Sequence, residues 1–486
     1  MVAPSSRRIP LTVLLPVPMP PVSPIKRSSG TAYDGEPMAE EVDFSRERPG
    51  DAIVVGAGPA GTAAAITMAR KGLQVMLIER GQKPGAKNVM GGILYNHYLE
   101  EVLGDDWKSA PLERPIIRED RWIMTADASI NIGYNNLRNQ QHPHSYSVLR
   151  ARFDPWFSGQ AEAAGAFVLP ETVVTDLVLE NGRVAGVSTG REGDVFAKVV
   201  IVCEGVGLGA GLLEKAGLKR KARANEMAMA VKEIIAMDPA RIEERFNLAP
   251  GDGASIECYG HATKGLSGFM FIYTNKETLS VGGGALLSEM SDTRLTRDEL
   301  EQRTPNALME HFKSLPEIKP LLQGGETVEY LAHMIPEGGY HGIPKVYGPG
   351  YLVCGDAAML SNPVHREGSN LAMASGRLAG ETVVHCKEKD SFEEADLREY
   401  RLRLDSSWIM ADMKKYDKAV PLLEHNPQMM NKYPALADRA LDEFFRVDGV
   451  SKFDKQKRIL RMLRKEGGLR FLLDNLKAAR ALRIPF

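Results

Sequence analysis

The sequence is short of the features that mark several functional classes. Its 486 residues hold four cysteines, Cys203, Cys258, Cys354 and Cys386, and no two of them form a C-x-x-C pair. That spacing argues against a zinc module or an iron–sulfur cluster carried on this chain, and it predicts buried thiols of a reduced compartment rather than disulfides. No stretch approaches the roughly 20 uninterrupted apolar residues that a spanning helix requires. The net charge is only −2, so nothing global points to nucleic acid. No H-E-x-x-H, no paired metal carboxylates and no Ser-His-Asp set stands out, so no metal is expected.

What is present is glycine. With 46 glycines, 43% hydrophobic and 26% charged residues, the composition fits an α/β protein, and the length allows more than one core. Residues 1–48 differ from the rest: Pro10, Pro16, Pro18, Pro20, Pro21 and Pro24 break any helix, which predicts a disordered extension. Arg7–Arg8 before Leu11–Leu15 faintly suggests an export signal, but the prolines spoil its apolar helix. Met38 is a candidate alternative start.

Asp51–Val55 reads as a short buried strand, followed at once by Gly56-Ala57-Gly58-Pro59-Ala60-Gly61 and a helix over Thr62–Lys71. A second strand, Leu73–Ile78, ends at Glu79 and Arg80, with Glu79 lying 18 residues beyond Gly61. Gly56 permits the tight turn, Gly58 lets the backbone approach a diphosphate, and Gly61 lets helix and strand pack closely. The helix N-terminus offers free N–H groups to phosphates, and Glu79 accepts from ribose hydroxyls. A second glycine run, Gly205-x-Gly207-x-x-Ala210 after Val199–Val202, lacks the strand-ending acid. It is read as a crossing that touches the same dinucleotide rather than as a second site.

Further segments identify the dinucleotide as FAD. Arg150 and Asp154 lie one helical turn apart. Thr172–Val187 reads as a hairpin with Asn181-Gly182 at its turn, and Val174 near its start is counted among the cofactor-lining residues. The strand Tyr351–Cys354 is closed by Gly355-Asp356-Ala357-Ala358, where Asp356 is placed to accept from a ribityl hydroxyl. The loop Leu360–Glu367 leads to Gly368-Ser369-Asn370 and a helix over Leu371–Glu381. Small residues at that helix start let a flavin edge approach backbone N–H groups, and the positive helix end favours negative charge on a reduced ring.

These motifs, together with Lys87-Asn88-Val89, Gly91-Gly92, Val231-Lys232-Glu233, Ala332–Gly339 and Gly368–Gly376 (GSNLAMASG), resemble the electron-transfer-flavoprotein:quinone oxidoreductase family, FixC-type, over about Asp51 to Ala437. The family sits within the wider geranylgeranyl-reductase and aromatic-hydroxylase-like flavoproteins. The resemblance implies a doubly wound, Rossmann-like FAD domain (residues 49–225 and 341–385) interleaved with an antiparallel-sheet quinone or substrate domain (226–340). A helical C-terminal region over 386–486 completes that expected organisation. It also implies electron transfer from an electron-transfer flavoprotein, through FAD, to a quinone at a membrane surface. In FixC-type systems the flavoprotein partner is linked to ferredoxin reduction and bifurcation. The cysteines of the single-chain enzymes' iron–sulfur module are missing here, so a separate ferredoxin-like subunit is expected. Glu204-Gly205 replaces the usual Asp-Gly of related hydroxylases, which weakens a role in docking NADPH.

His365, beside the expected flavin edge, is a weak candidate for proton relay, and ordinary packing is the simpler account. His333, Tyr340 and His341 are weaker or similar candidates. The segment Ser451–Phe486 combines many Lys and Arg with Leu460, Leu463, Phe471, Leu472, Leu476 and Leu482, which suggests an amphipathic basic helix for anionic lipid or an acidic partner. The expected location is therefore cytoplasmic, peripheral on the inner face of the cell membrane. Two other readings stand beside electron transfer to a quinone: reduction of an isoprenoid double bond, and a scaffold subunit that holds FAD.

Overall fold

The computed structural model describes residues 44–86, 91–190, 193–206, 211–362, 364 and 366–482. The expected extension over 1–48 lies outside them up to residue 43. Residues 44–48 do not belong to it: Phe44 is buried, and its carbonyl accepts from the Phe196 N–H at 2.9 Å.

The chain builds two sheets and passes between them repeatedly. Strands β1 (Gly50–Val55) and β2 (Val75–Ile78) open the first sheet. The chain then crosses to the second for β3 (Ile93–Tyr95), β4 (Leu112–Met124), β5 (Ser129–Asn135) and β6 (Ser145–Val148). It returns for β7 (Phe167–Leu169), β8 (Val174–Glu180), β9 (Arg183–Thr189) and β10 (Gly193–Val202). A second excursion forms β11 (Met227–Ala236), β12 (Gly253–Gly260), β13 (Gly268–Thr274), β14 (Thr278–Leu286) and β15 (Glu326–Pro336). The last strands, β16 (Tyr347–Gly348) and β17 (Tyr351–Val353), close the first sheet.

The first sheet has the order β16-β17-β10-β1-β2-β7, and its neighbours from β17 to β7 run parallel. Its central strands are apolar on both faces, as a parallel sheet covered by helices requires: every residue of β1 is buried, and Val199–Val202 have no exposure. The β8–β9 hairpin attaches through β9 to β10. Helix α1 (Pro59–Ala69) packs against α2 (Arg150–Ala163) and against α3 (Ser369–Glu388). The α1–α3 contact is backbone-close, because a Cβ on Gly376 would lie 2.0 Å from the Ala60 carbonyl oxygen.

The second sheet has the order β15-β11-β14-β13-β12-β4-β6-β3, with β5 also on β4. Two expectations are corrected here. Residues 93–148, assigned to the FAD part from sequence, supply β3–β6 of this sheet. The sheet is also mixed rather than antiparallel, since β4 and β12 pair in parallel from Ile116↔Gly253 to Met124↔Gly260. The cause is the length of β4, whose 13 residues carry partners along both edges and so draw the whole segment out of the first sheet. Side chains alternate across the pleat. On β13, Met270 and Ile272 join a core with Phe246, Met309 and Phe312 under two covering helices, while Phe271 and Tyr273 face the opposite side with Ile93 and Ile116.

The C-terminal region is helical as expected, but Ser451–Phe486 is not one continuous helix. Helix Lys452–Met462 runs into a single π-helical turn, Leu463–Gly467, and a further helix spans Gly468–Ala481. Gly468 takes φ +62°, a backbone shape that breaks the helix axis. Each of these two helices is tied to the preceding chain by a buried charge. Lys455 reaches Asp448 at 2.9 Å, and Asp474 accepts from Tyr433 and Gln428, each at 2.6 Å.

The Gly376→Ala substitution should lower stability by about 1–3 kcal/mol, although alanine is the better helix former. The midpoint of urea unfolding of the FAD-free chain measures this, and an unchanged or higher midpoint would contradict the close α1–α3 contact.

Candidate cofactor and substrate cavity

A cavity of about 650 Å³ opens at the carboxyl ends of β1, β10 and β17 and extends between the two sheets. That is where open α/β sheets bind ligands. Among the residues expected to hold FAD, Gly56, Gly58, Pro59, Ala60, Glu79, Arg80, Arg150, Val174, Gly205, Gly355, Asp356, Gly368 and Ser369 all line it. Gly61 and Asn370 do not. A Cβ on Gly61 would meet the Gly56 carbonyl oxygen at 1.9 Å, so its role is close packing of α1 on the loop. The Asn370 carboxamide oxygen accepts from the Tyr95 N–H at 3.2 Å, which ties the start of α3 to β3. His365 and Lys87–Val89 lie outside the described residues.

The glycine loop is organised by its own chain. Gly56 donates to the Ile78 carbonyl at 2.8 Å and takes φ +102°. The Glu79 carboxylate accepts from the Ala57 N–H at 3.1 Å and the Gly81 N–H at 2.7 Å, which holds it at the loop's mouth. Helix α1 begins with Pro59 at its first position, has no side-chain cap and carries no acid in its first turn, so its free N–H groups are directed to an anion.

Several of the charges around the cavity are shielded from solvent. Arg150 forms a two-pronged pair with Asp154 at 2.6 and 2.7 Å and also donates to the Ser369 hydroxyl at 3.2 Å. Burial pushes Asp356 up to about 6, opposed by Arg150 and Lys219. Burial also brings Lys232 down to about 7 and His333 down to about 4, in each case with Arg150 adding to the effect. Glu337 is raised to about 8 by burial and by the neighbouring Asp356. On the second sheet's side, Ile93, Phe269, Phe271, Tyr273 and Ile335 form an apolar wall, with Phe271 and Tyr273 stacked at 4.3 Å. Arg366 crosses from the loop before α3 to β4, where it pairs with both oxygens of Glu119 at 3.0 and 2.8 Å.

Sequence reasoning did not single out the aromatic wall or Glu337. The signal for the first was the alternation in Gly268–Thr274, GFMFIYT, which puts Phe269, Phe271 and Tyr273 on one face. The signal for Glu337 was its spacing of two and four residues from Ile335 and His333 at the end of a strand.

The residues fit FAD. Cβ atoms built on Gly58 and Gly368 meet nothing within 4 Å, so both backbones face open space where a ligand can approach. The open glycine loop, the uncapped helix start, the acid ending β2 and the second small-residue helix start together cover both ends of a dinucleotide. Fold and cavity therefore define an FAD-dependent oxidoreductase. Residues 51–267 match the FAD dependent oxidoreductase family, and residues 419–483 match the ETF-QO/FixC family C-terminal domain. Protein FixC of Azorhizobium caulinodans is 44% identical over 417 residues, covering 85% of this chain and 93% of that protein. Protein FixC of Escherichia coli (strain K12) is 39% identical over 436 residues, covering 89% and 99%. The chain belongs to the ETF-QO/FixC family. Among solved structures, a geranylgeranyl bacteriochlorophyll reductase-like protein from Thermoplasma acidophilum aligns with TM-score 0.65 at 20% identity, over 86% of this chain and 96% of that one. The myxobacterial halogenase CndH aligns with TM-score 0.56 at 22% identity, over 73% and 78%. At those identities the likeness is one of fold.

Gly58→Val projects into open space, so the FAD-free fold should keep its stability while FAD affinity falls at least about tenfold. Fluorescence titration of the apo-chain with FAD tests this, and unchanged affinity would remove the glycine loop from the cofactor site.

Proposed function

We propose that this chain passes electrons from an electron-transfer flavoprotein, by way of FAD, to a quinone, as one subunit of a complex with a separate ferredoxin-like iron–sulfur subunit. The observation that carries the reading is the continuous cavity, polar and glycine-lined at one end and walled by Phe269, Phe271 and Tyr273 at the other. Such a wall suits a flat, apolar acceptor. Bound FAD supplies a centre that takes up electrons singly and hands them on in pairs. Arg150 and the N-terminus of α3 would stand beside bound FAD, and the helix end would favour negative charge on a reduced ring. Arg366, tied to Glu119, holds the loop before α3 against the wall.

The quinone's lipid solubility connects the reading to a membrane surface. No described helix is long and apolar enough to cross a membrane. The two C-terminal helices expose Phe453 (66%), Leu469 (70%) and Leu472 (57%) among their lysines and arginines, a composition suited to anionic lipid.

Two measurements test the proposal. The FAD-loaded chain, mixed anaerobically with reduced electron-transfer flavoprotein, the ferredoxin-like subunit and a soluble quinone analogue, should show flavin reduction followed by quinone-dependent reoxidation. Ferredoxin reduction coupled to quinol formation would mark a bifurcating complex. Bound FAD that never accepts electrons from that donor, with stoichiometric loss of a prenyl double bond instead, would replace electron transfer by alkene reduction. Separately, the chain should co-sediment with vesicles containing anionic lipid, and Leu469→Asp with Leu472→Asp should weaken binding at least about tenfold. Equal binding by the double variant would remove the last helix from the membrane contact.

A further inference from the structure

Reducing a quinone to its quinol adds two electrons and two protons. Electrons can tunnel to an acceptor in the cavity from a docked partner, whereas protons need a chain of polar groups or water that leads to it. The apolar wall offers none, so a proton entrance must lie elsewhere around the cavity.

A second, smaller cavity of about 150 Å³ adjoins the first. Glu337, Ser361 and Asn362 line both, so these three side chains form the partition. The smaller cavity is rimmed by polar groups and reaches the surface at His341, which is 76% exposed and lies 3.6 Å from Asp417. Its polar rim and volume suit ordered water. Glu337 follows directly on β15, and its N–H donates to the Glu226 carbonyl at 2.7 Å, which fixes the backbone. One carboxyl oxygen of Glu337, Oε2, is shielded from solvent and has no hydrogen-bond partner among the described residues. The Glu337 carboxyl borders both cavities, and holding one of its oxygens buried and unpaired costs stability, which makes it anomalous as a structural element. It is well suited to exchanging a proton.

From this geometry we infer that Glu337 is a proton-relay residue, carrying protons from water in the smaller cavity to the redox cavity. This rests on the quinone reading above. In each transfer the Glu337 O–H bond breaks as an O–H bond forms on the acceptor, whose electrons come from the reduced electron-transfer flavoprotein. Water in the smaller cavity then restores the proton. The charged groups around Glu337 agree with this role. Asp356, from the turn after β17, is close enough to raise its carboxyl, and the smaller cavity is lined by His341 from the same segment, Arg223 and Glu226 from the turn before β11, and Tyr416, Asp417 and Glu424 from the C-terminal region. Glu226 is held down at about 2, chiefly by Arg220 with Arg223 adding to it, so it stays ionised and does not compete as a donor. Glu337, raised to about 8, keeps its proton at neutral pH and can still surrender it.

The test uses the full FAD-loaded chain, reduced with dithionite so that no protein donor is needed. It is offered either ferricenium, which takes electrons alone, or a soluble quinone, which takes electrons and protons. Glu337→Gln should slow quinone reduction at least about tenfold and leave ferricenium reduction within about twofold. Val420→Phe, which fills the smaller cavity and leaves Glu337 in place, should slow quinone reduction in the same selective way. Infrared difference spectra should show a carboxylic acid band that titrates near pH 8 and is missing in Glu337→Gln. Equal quinone rates in wild type and Glu337→Gln would overturn the relay. So would a carboxyl already ionised at pH 6 by infrared. If the wild type reduces ferricenium but no quinone, the acceptor assignment fails, and the infrared titration still decides the state of Glu337.

Discussion

The geometry of the cavity depends on one buried ion pair. Arg150 and Asp154 sit a helical turn apart at the start of α2, 4% and 2% exposed, with two parallel hydrogen bonds between them. Taking two charges out of water costs several kcal/mol per ion, and the loss is offset only when geometry and remaining hydrogen bonds are good. Both conditions are met: the guanidinium also reaches Ser369 at the start of α3. Gly91 completes the arrangement, since a Cβ there would lie 2.7 Å from the Ser369 hydroxyl and 2.9 Å from the guanidinium. One side chain thereby sets the spacing between α2, α3 and the chain leading into β3. Its charge reaches further, lowering Lys232 and His333 and opposing the rise of Asp356.

The repeated crossing between sheets gives that pair its leverage. Residues 93–148 belong to the second sheet, yet they end at Val148, and α2 begins at Arg150. β3 and β6, paired from Ile93↔Ser147 to Tyr95↔Ser145, thus carry the aromatic wall's sheet directly to the cofactor's binding helix. Arg366 makes a second tie in the opposite direction, from the loop before α3 to Glu119 on β4. Two independent links across one cavity hold the polar end and the apolar end at a fixed separation. Such rigidity would suit the electron transfer proposed above.

Much of the first sheet is legible in the sequence, because its signals are local. A β-branched strand, a glycine turn, an alanine-rich helix and an acid 18 residues beyond Gly61 are read without tertiary information. The helix starts at Pro59 rather than Thr62, since proline is tolerated at a first helical position. The second sheet is less legible for the opposite reason: β4 finds its partner β12 more than a hundred residues later, and no local pattern announces a parallel pairing of that span. Asn370 reads as a cofactor ligand from its place after Gly368-Ser369, but helical rotation turns it to the Tyr95 backbone. Lys232 is named from sequence only within the Val231-Lys232-Glu233 motif, and only the assembled fold shows its side chain buried. In the C-terminal region the basic and apolar residues suggest one helix, while Gly467-Gly468 provides the break.

The end of β15 joins the two chemistries that the cavity must serve. Residues two apart on a strand share a face, so His333, Ile335 and Glu337 all turn toward the cavity. Ile335 continues the apolar wall, and the next inward position carries a carboxyl beside a polar side chamber. Pro336 ends the strand between them, and Gly338 and Gly339 turn the chain away at once. The change from apolar to proton-bearing surface therefore occupies two residues, about 7 Å along a strand. On the reading proposed above, an acceptor lying against the wall would have that carboxyl at the wall's edge, beside the aromatics rather than in place of them. A proton entrance placed on the wall itself would have opened the dry face to water and weakened every buried charge interaction around Arg150.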